Sequence, residues 1–95
     1  MALTVFTEAD QVVGPVVVNR NRPISVSVQG TRTAGSIVVL ERCRIGETDW
    51  RSVEQYGSTV AFYEDDRAAT RGWMYRLRCS TLTAPDEPSG ELIVP

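Results

Sequence analysis

The segment Ile24-Ser25-Val26-Ser27-Val28-Gln29 alternates apolar and polar residues one by one. That two-residue period marks a strand with one face in a core and the other in water. Turn-forming clusters recur on both sides of it about every ten residues. The stretches between them are rich in Val, Ile, Thr, Tyr and Trp, the pattern of an antiparallel sandwich. Downstream, residues 30–35 read as a loop, 36–44 as a strand, 45–49 as a tight hairpin turn and 50–56 as its second strand, ended by Gly57. A further strand is expected over 58–64, with Val60 and Phe62 on one face, then an irregular connection over 65–72. Trp73, Tyr75, Leu77 and Cys79 share one face of the next strand, with Met74, Arg76 and Arg78 on the other. A loop over 84–90 leads into a last strand at 91–94. Upstream, 3–6 and 12–18 each read as a strand, but Gly14-Pro15 removes a ladder donor and argues for an edge strand or an extended arm. The expectation is a single all-β domain over residues 1–95, with 1–20 as arm or edge strand and 21–95 as a sandwich body of seven or eight strands in all.

One strand departs from this alternation. Ile37, Val38, Val39 and Leu40 are apolar on both faces, whereas a sandwich strand leaves one face to solvent. Something must cover the second face. The N-terminal arm is the favoured cover over a neighbouring subunit, because it costs no association entropy. A chain of 95 residues buries only roughly 60 to 65 % of its unfolded surface, so leftover apolar patches gain from packing on something larger.

The sequence holds no His, and all ten of its basic residues are Arg. Without imidazole or amine, Ser-His-Asp, Cys-His and Ser-Lys arrangements cannot be assembled. Two cysteines without His fall short of a zinc site, and no glycine-rich phosphate loop is present. Glu64, Asp65 and Asp66 are the densest carboxylates, but at a strand end they read as a solvated turn and not as an acid/base pair. Neither Glu47 with Asp49 nor Asp65 with Asp66 has the spacing of a twelve-residue calcium loop. No catalytic residue, metal or cofactor is expected. If the strands of Cys43 and Cys79 pair antiparallel, the two thiols fall about five or six residues apart along the ladder, far beyond bridging distance, and they are expected as free and buried.

The net charge of −2 comes from twelve acidic and ten basic residues scattered along the chain. No clustered basic stripe is present, which disfavours nucleic acid. Exclusive use of Arg reads as compositional bias or as a fit to protein interfaces, where its planar fork pairs with carboxylates and stacks on rings. The start MALTVFTEAD has neither a basic n-region nor an apolar h-region, so no secretory signal is read and the cytosol is the expected place of synthesis. The apolar run 12–18 is too short to span a bilayer. Trp73 and Tyr75 read as core, while Trp50, Tyr56 and Tyr63 are left as candidates for a sugar-stacking platform.

The runs Pro23-Ile24-Ser25-Val26-Ser27-Val28, Gly35-Ser36-Ile37-Val38-Val39-Leu40-Glu41-Arg42, Gly46-Glu47-Thr48-Asp49-Trp50 and Tyr75-Arg76-Leu77-Arg78 together resemble a family of short tailed-phage proteins. The likeness covers about residues 14–94. It departs at 60–71, which is longer and more acidic than the family pattern. The resemblance implies an immunoglobulin-like or fibronectin-like sandwich that serves as a virion accessory, with Leu40, Trp50, Tyr75 and Leu77 in its core. It also implies a non-enzymatic role as a capsid decoration or cement protein, or a neck or tail component, assembled in the host cytoplasm. The expected partners are the major capsid protein or other virion proteins and further copies of the chain, with no nucleic acid or membrane. The expected contact residues are Leu3, Val5, Phe6, Val16, Val17, Val18, Arg20, Arg22, Ile37, Val39 and Tyr63. A carbohydrate- or receptor-binding module built on Trp50, Tyr56 and Tyr63 is the alternative.

Overall fold

The computed structural model describes residues 4–57 and 63–93, with the backbone alone for Arg22 and residues 65–68. The strands are β1 (Thr4–Val5), β2 (Val12–Val18), β3 (Arg22–Thr31), β4 (Ile37–Arg44), β5 (Arg51–Tyr56), β6 (Tyr63–Ala69), β7 (Trp73–Thr81) and β8 (Glu87–Ile93). They form two antiparallel four-stranded sheets, ordered β1-β8-β3-β6 and β2-β7-β4-β5, and no helix is present among the described residues. β1 pairs with β8, β2 with β7, β3 with β6 and β4 with β5. The chain is thus one long hairpin whose first four strands run against its last four. Rolling that hairpin up brings β8 beside β3 and β7 beside β4. The outcome is the strand order of a small jelly roll.

This order departs from the immunoglobulin-like arrangement that the resemblance implies, in which the last strand lies beside the one before it. Here β8 is inserted between β1 and β3, and β2 occupies the place beside β7. The segment expected as an arm or an edge strand is therefore two edge strands, one in each sheet. β2 holds its place because Val13 and Val18 are buried in the common core and Val16 packs against it. The ladder shifts register between Val13 and Val16, where Gly14-Pro15 interrupts it, a break that an edge tolerates.

The alternation in β3 is realised. Ile24, Val26 and Val28 are fully buried, with Ser25, Ser27 and Gln29 half-buried on the outer side. In β7, Tyr75, Leu77 and Cys79 are buried, and half-buried Trp73 packs against the same core. Two expectations are corrected. Residues 65–69, read as irregular, belong to β6, which pairs with Arg22–Val28 and so satisfies the backbone groups along that side of β3. Charged residues there fit an edge strand. β8 begins at Glu87 and not at 91, its start hidden in the sequence by Pro88 and Gly90. Gly90 is no turn residue: a Cβ there would stand 3.0 Å from Leu77 Cδ1 and 3.3 Å from Phe6 Cε2, so the missing side chain makes room for the Phe6 ring. Most of the strand expected at 58–64, including Val60 and Phe62, lies outside the described residues. Cys43 stands opposite Met74 and Cys79 opposite Val38, and both thiols are free and buried. Burial pushes the Cys79 thiol above its ordinary pKa, helped by the Asp10 charge.

Because every pairing is antiparallel, successive turns alternate between the two ends of the sandwich, whose longest dimension is 38 Å. One end gathers turns 19–21, 45–50 and 70–72. There the Gly72 N–H donates to the Val18 carbonyl (3.0 Å), the Ile45 N–H to the Gly72 carbonyl (3.1 Å) and the Arg71 N–H to Asn21 Oδ1 (2.8 Å). The Tyr75 hydroxyl accepts from the Thr70 N–H at 3.1 Å. The opposite end gathers turns 6–11, 32–36 and 82–86. Its pin is the buried carboxylate of Asp86, which accepts from the N–H groups of Ala34 (3.0 Å) and Ser36 (3.2 Å). Burial alone would raise the Asp86 pKa, but those donors, the Ser36 hydroxyl and the Arg32 charge outweigh it and hold the carboxyl below its ordinary 3.8.

A group held below its unfolded value stabilises the fold above that value, and the contribution fades as pH falls through the folded value. Asp86→Asn should therefore melt earlier than the wild type at neutral pH, and the gap should close as pH drops below about 4. Thermal melts across a pH series check this; a gap that is constant with pH refutes the pin. A second test compares two glycines with the same φ of 87°. A Cβ on Gly30 would overlap the Glu87 carbonyl, whereas Gly46 has nothing within 4 Å. Gly46→Ala should cost only the left-handed strain, about 1 kcal/mol, and Gly30→Ala on the order of 3 kcal/mol, read from urea midpoints.

Candidate functional site

The outer face of the β2-β7-β4-β5 sheet is built from the residues that alternate with the core. β4 contributes Val39, Glu41 and Cys43, β7 contributes Met74, Arg76 and Arg78, and β2 contributes Val12 and Val17. Register sets Val39 opposite Arg78, Glu41 opposite Arg76 and Cys43 opposite Met74. On a face turned away from the core, Val39, Glu41 and Cys43 are nevertheless buried. Among the described residues, β2 lies in the same sheet and is not layered over them, while Asp10 of the β1–β2 loop reaches across to Arg78. Arg78 stands opposite Val39 and Arg76 opposite Glu41, and both donate to the Glu41 carboxylate, so these two arginines contribute to the cover.

Glu41 is the centre of this cover, its side chain only 8 % exposed. It accepts from Arg76 Nε at 2.9 Å and from Arg78 Nε at 3.2 Å. Arg78 also donates through Nη1 to Asp10 Oδ1 at 2.8 Å. Arg76 stacks over the Trp50 ring at 4.1 Å. The result is a continuous chain of contacts, Asp10–Arg78–Glu41–Arg76–Trp50, lying across β7 and β4 and reaching a loop at each end. Burial lowers the Arg78 pKa, but Glu41 and Asp10 more than reverse this, and the group stays cationic. Val12 and Val17 flank the cover at 39 % and 46 % exposure. This set can offer two oriented guanidinium groups, an indole and an aliphatic rim to another surface.

The expected contact residues are dispersed. Val17 stands exposed on this face, and Val39 is buried within it. Phe6 and Val18 lie inside the chain's own core and present no free surface, because β1 and β2 close the edges of the sandwich. Val16 is half-buried against that core, Val5 is exposed on the edge of the other sheet, and Ile37 is half-buried at the start of β4. Arg20 is exposed in the β2–β3 turn, while Leu3 and the Arg22 side chain lie outside the described residues. Tyr63 packs edge-on against Tyr56, centroids 5.0 Å apart, with the Arg32 guanidinium 5.4 Å from its ring. Glu54, Gln55 and Glu64 complete a shallow depression of about 410 Å³ there. The three rings of the sugar-binding alternative are not gathered into a platform: Tyr56 is buried, and Trp50 stands just before the other end of β5 under Arg76. Trp73, at the arginine-bearing end, carries Arg42 at 4.4 Å and Arg44 at 5.1 Å. Among the described residues, no three Cys, Asp or Glu side chains converge as metal ligands would.

The residues missed by sequence reasoning are Glu41, Arg76 and Arg78. Their signal was the outward parity of Arg76 and Arg78 on β7 and of Glu41 on β4; what joins them is the strand register. Compared with known protein families, curated proteins and solved structures, the chain finds no match.

Glu41→Ala should leave the half-covered Arg76 guanidinium without a carboxylate and Arg78 with Asp10 alone, and destabilise the fold by about 2 kcal/mol in urea denaturation. Arg51→Ala removes an ion pair whose side chains are 75 % and 68 % exposed, and should leave the midpoint unchanged. Equal effects would contradict the central place of Glu41.

Proposed function

We propose that this chain is a non-enzymatic structural protein of a bacteriophage virion, a capsid decoration or cement protein that stabilises the head through contacts with the major capsid protein or other virion proteins. The observation that carries this reading is the outer face of β2-β7-β4-β5. Arginine, tryptophan and methionine, residue types enriched at protein interfaces, are gathered there. Its guanidinium groups are already held by Glu41 and Asp10, so docking costs little additional side-chain entropy. The likeness of four sequence runs to short tailed-phage proteins gives the biological setting. Jelly rolls also occur among viral capsid domains, a likeness of fold that by itself assigns no function. In this reading the protein works by burying Val12, Val17, Met74 and Trp50 against a neighbour while Arg76 and Arg78 meet its carboxylates or carbonyls, with no turnover.

Quantifying the protein in purified particles of the phage that encodes it tests the proposal. A fixed, multiple copy number per particle is the expected result, and absence from the particles refutes it. Arg76→Glu with Trp50→Ala should lower occupancy on the particle at least about tenfold, as expected when interface anchors of this kind are removed.

A further inference from the structure

The charges that are scattered along the sequence are segregated in space. At the end formed by turns 19–21, 45–50 and 70–72 stand Arg20, Arg42, Arg44, Arg51 and Arg71, against Glu47 and Asp49. Towards the other end stand Glu8, Asp10, Glu54, Glu64, Asp86 and Glu87, against Arg32 and Arg78. Within the second group Arg32 is buried, and Arg78 is held by Glu41 and Asp10. Glu8 and Glu87 are exposed at their end as Arg20, Arg44 and Arg71 are at theirs. Arg20 and Arg71 have no carboxylate partner among the described residues. With Asn19, Asn21 and Thr70 they line an open polar depression of about 550 Å³.

We infer that the chain associates head to tail with a second copy of itself, the basic end of one molecule receiving the acidic end of the next. The partner is identified by charge complementarity between the two ends of one molecule. A contact of this kind is heterologous: it leaves a basic end and an acidic end free and extends to a ring or a stack. Nucleic acid is the poorer occupant of the basic end. The arginines form a compact cluster bounded by Glu47 and Asp49 and not the stripe that tracks a phosphate backbone. The two shorter dimensions of the molecule are 24 and 21 Å, so an end-to-end contact is small and depends on oriented charge more than on apolar area. This inference is independent of the proposed virion role and uses a different surface.

Sedimentation velocity at low and high ionic strength tests it. The wild type should associate with rising concentration at low salt, and high salt should weaken the association at least about tenfold. Arg20→Glu with Arg71→Glu should abolish association, as should Glu8→Arg with Glu87→Arg. An equimolar mixture of the two double variants should regain it, since each then meets an end of opposite sign. All four positions are exposed, and thermal melts confirm that the variants fold. A wild type that is monomeric up to its solubility limit overturns the inference. So does association that survives high salt or either double swap, or a mixture that stays monomeric. Binding of a duplex oligonucleotide by the wild type that is lost in Arg20→Glu with Arg71→Glu, with no self-association, assigns the basic end to nucleic acid and overturns it as well.

Discussion

The antiparallel register of β4 against β7 serves both sides of the same sheet. On the inner side it sets Leu40 against Leu77 and Val38 against Cys79, in the middle of the shared core. On the outer side it sets Glu41 against Arg76 and Val39 against Arg78. A slip of one residue would turn every one of these side chains to the wrong face, so the apolar requirement of the core fixes the geometry of the polar cover. The ion pairs are thereby organised by packing they do not themselves provide. Paired charges carried out of water gain little net stability, and their larger effect here is to hold two guanidinium groups in fixed directions.

The inward and outward assignment of β3 and β7 was legible because Ser and Arg interrupt Val, Ile, Leu and Tyr at every second residue. The separation of Cys43 from Cys79 followed from the same ladder arithmetic. Strand order was not legible, since alternation says which side chains enter the core and not which strand lies beside which. An immunoglobulin-like sandwich and a jelly roll make the same demand on Ile24, Val26 and Val28. β6 escaped because an edge strand paired on one side can carry Asp and Arg where a central strand cannot. The onset of β8 escaped because Pro88 and Gly90 look like loop residues, although Gly90 is there to accommodate the Phe6 ring that follows β1.

The candidate site was half visible. Ile37 to Leu40 announced a strand with two apolar faces, and on the outer one the register places Arg76 and Arg78, both paired with Glu41. Phe6 and Val18, apolar residues near the start of the chain, were natural candidates for contact and proved to be interior, since β1 and β2 complete the sheets. The segregation of charge could not be seen in one dimension. The arginines stand in or beside the second, fourth and sixth turns, and in an antiparallel roll alternate turns fall at the same end, so an evenly mixed sequence becomes a polar object only when folded.

The rolled hairpin also dictates the timing of folding. β3 is flanked by β6 and β8, and among the described residues β1 pairs with β8 alone, so β1 waits for a strand encoded more than eighty residues later. During synthesis the β1-β8-β3-β6 sheet cannot close until residues 87–93 have emerged from the ribosome, and the Phe6 ring has no Gly90 to rest on before then. A topology with contacts this distant along the chain commits the protein to folding after translation of β8, with β3 exposed as an open edge in the interval.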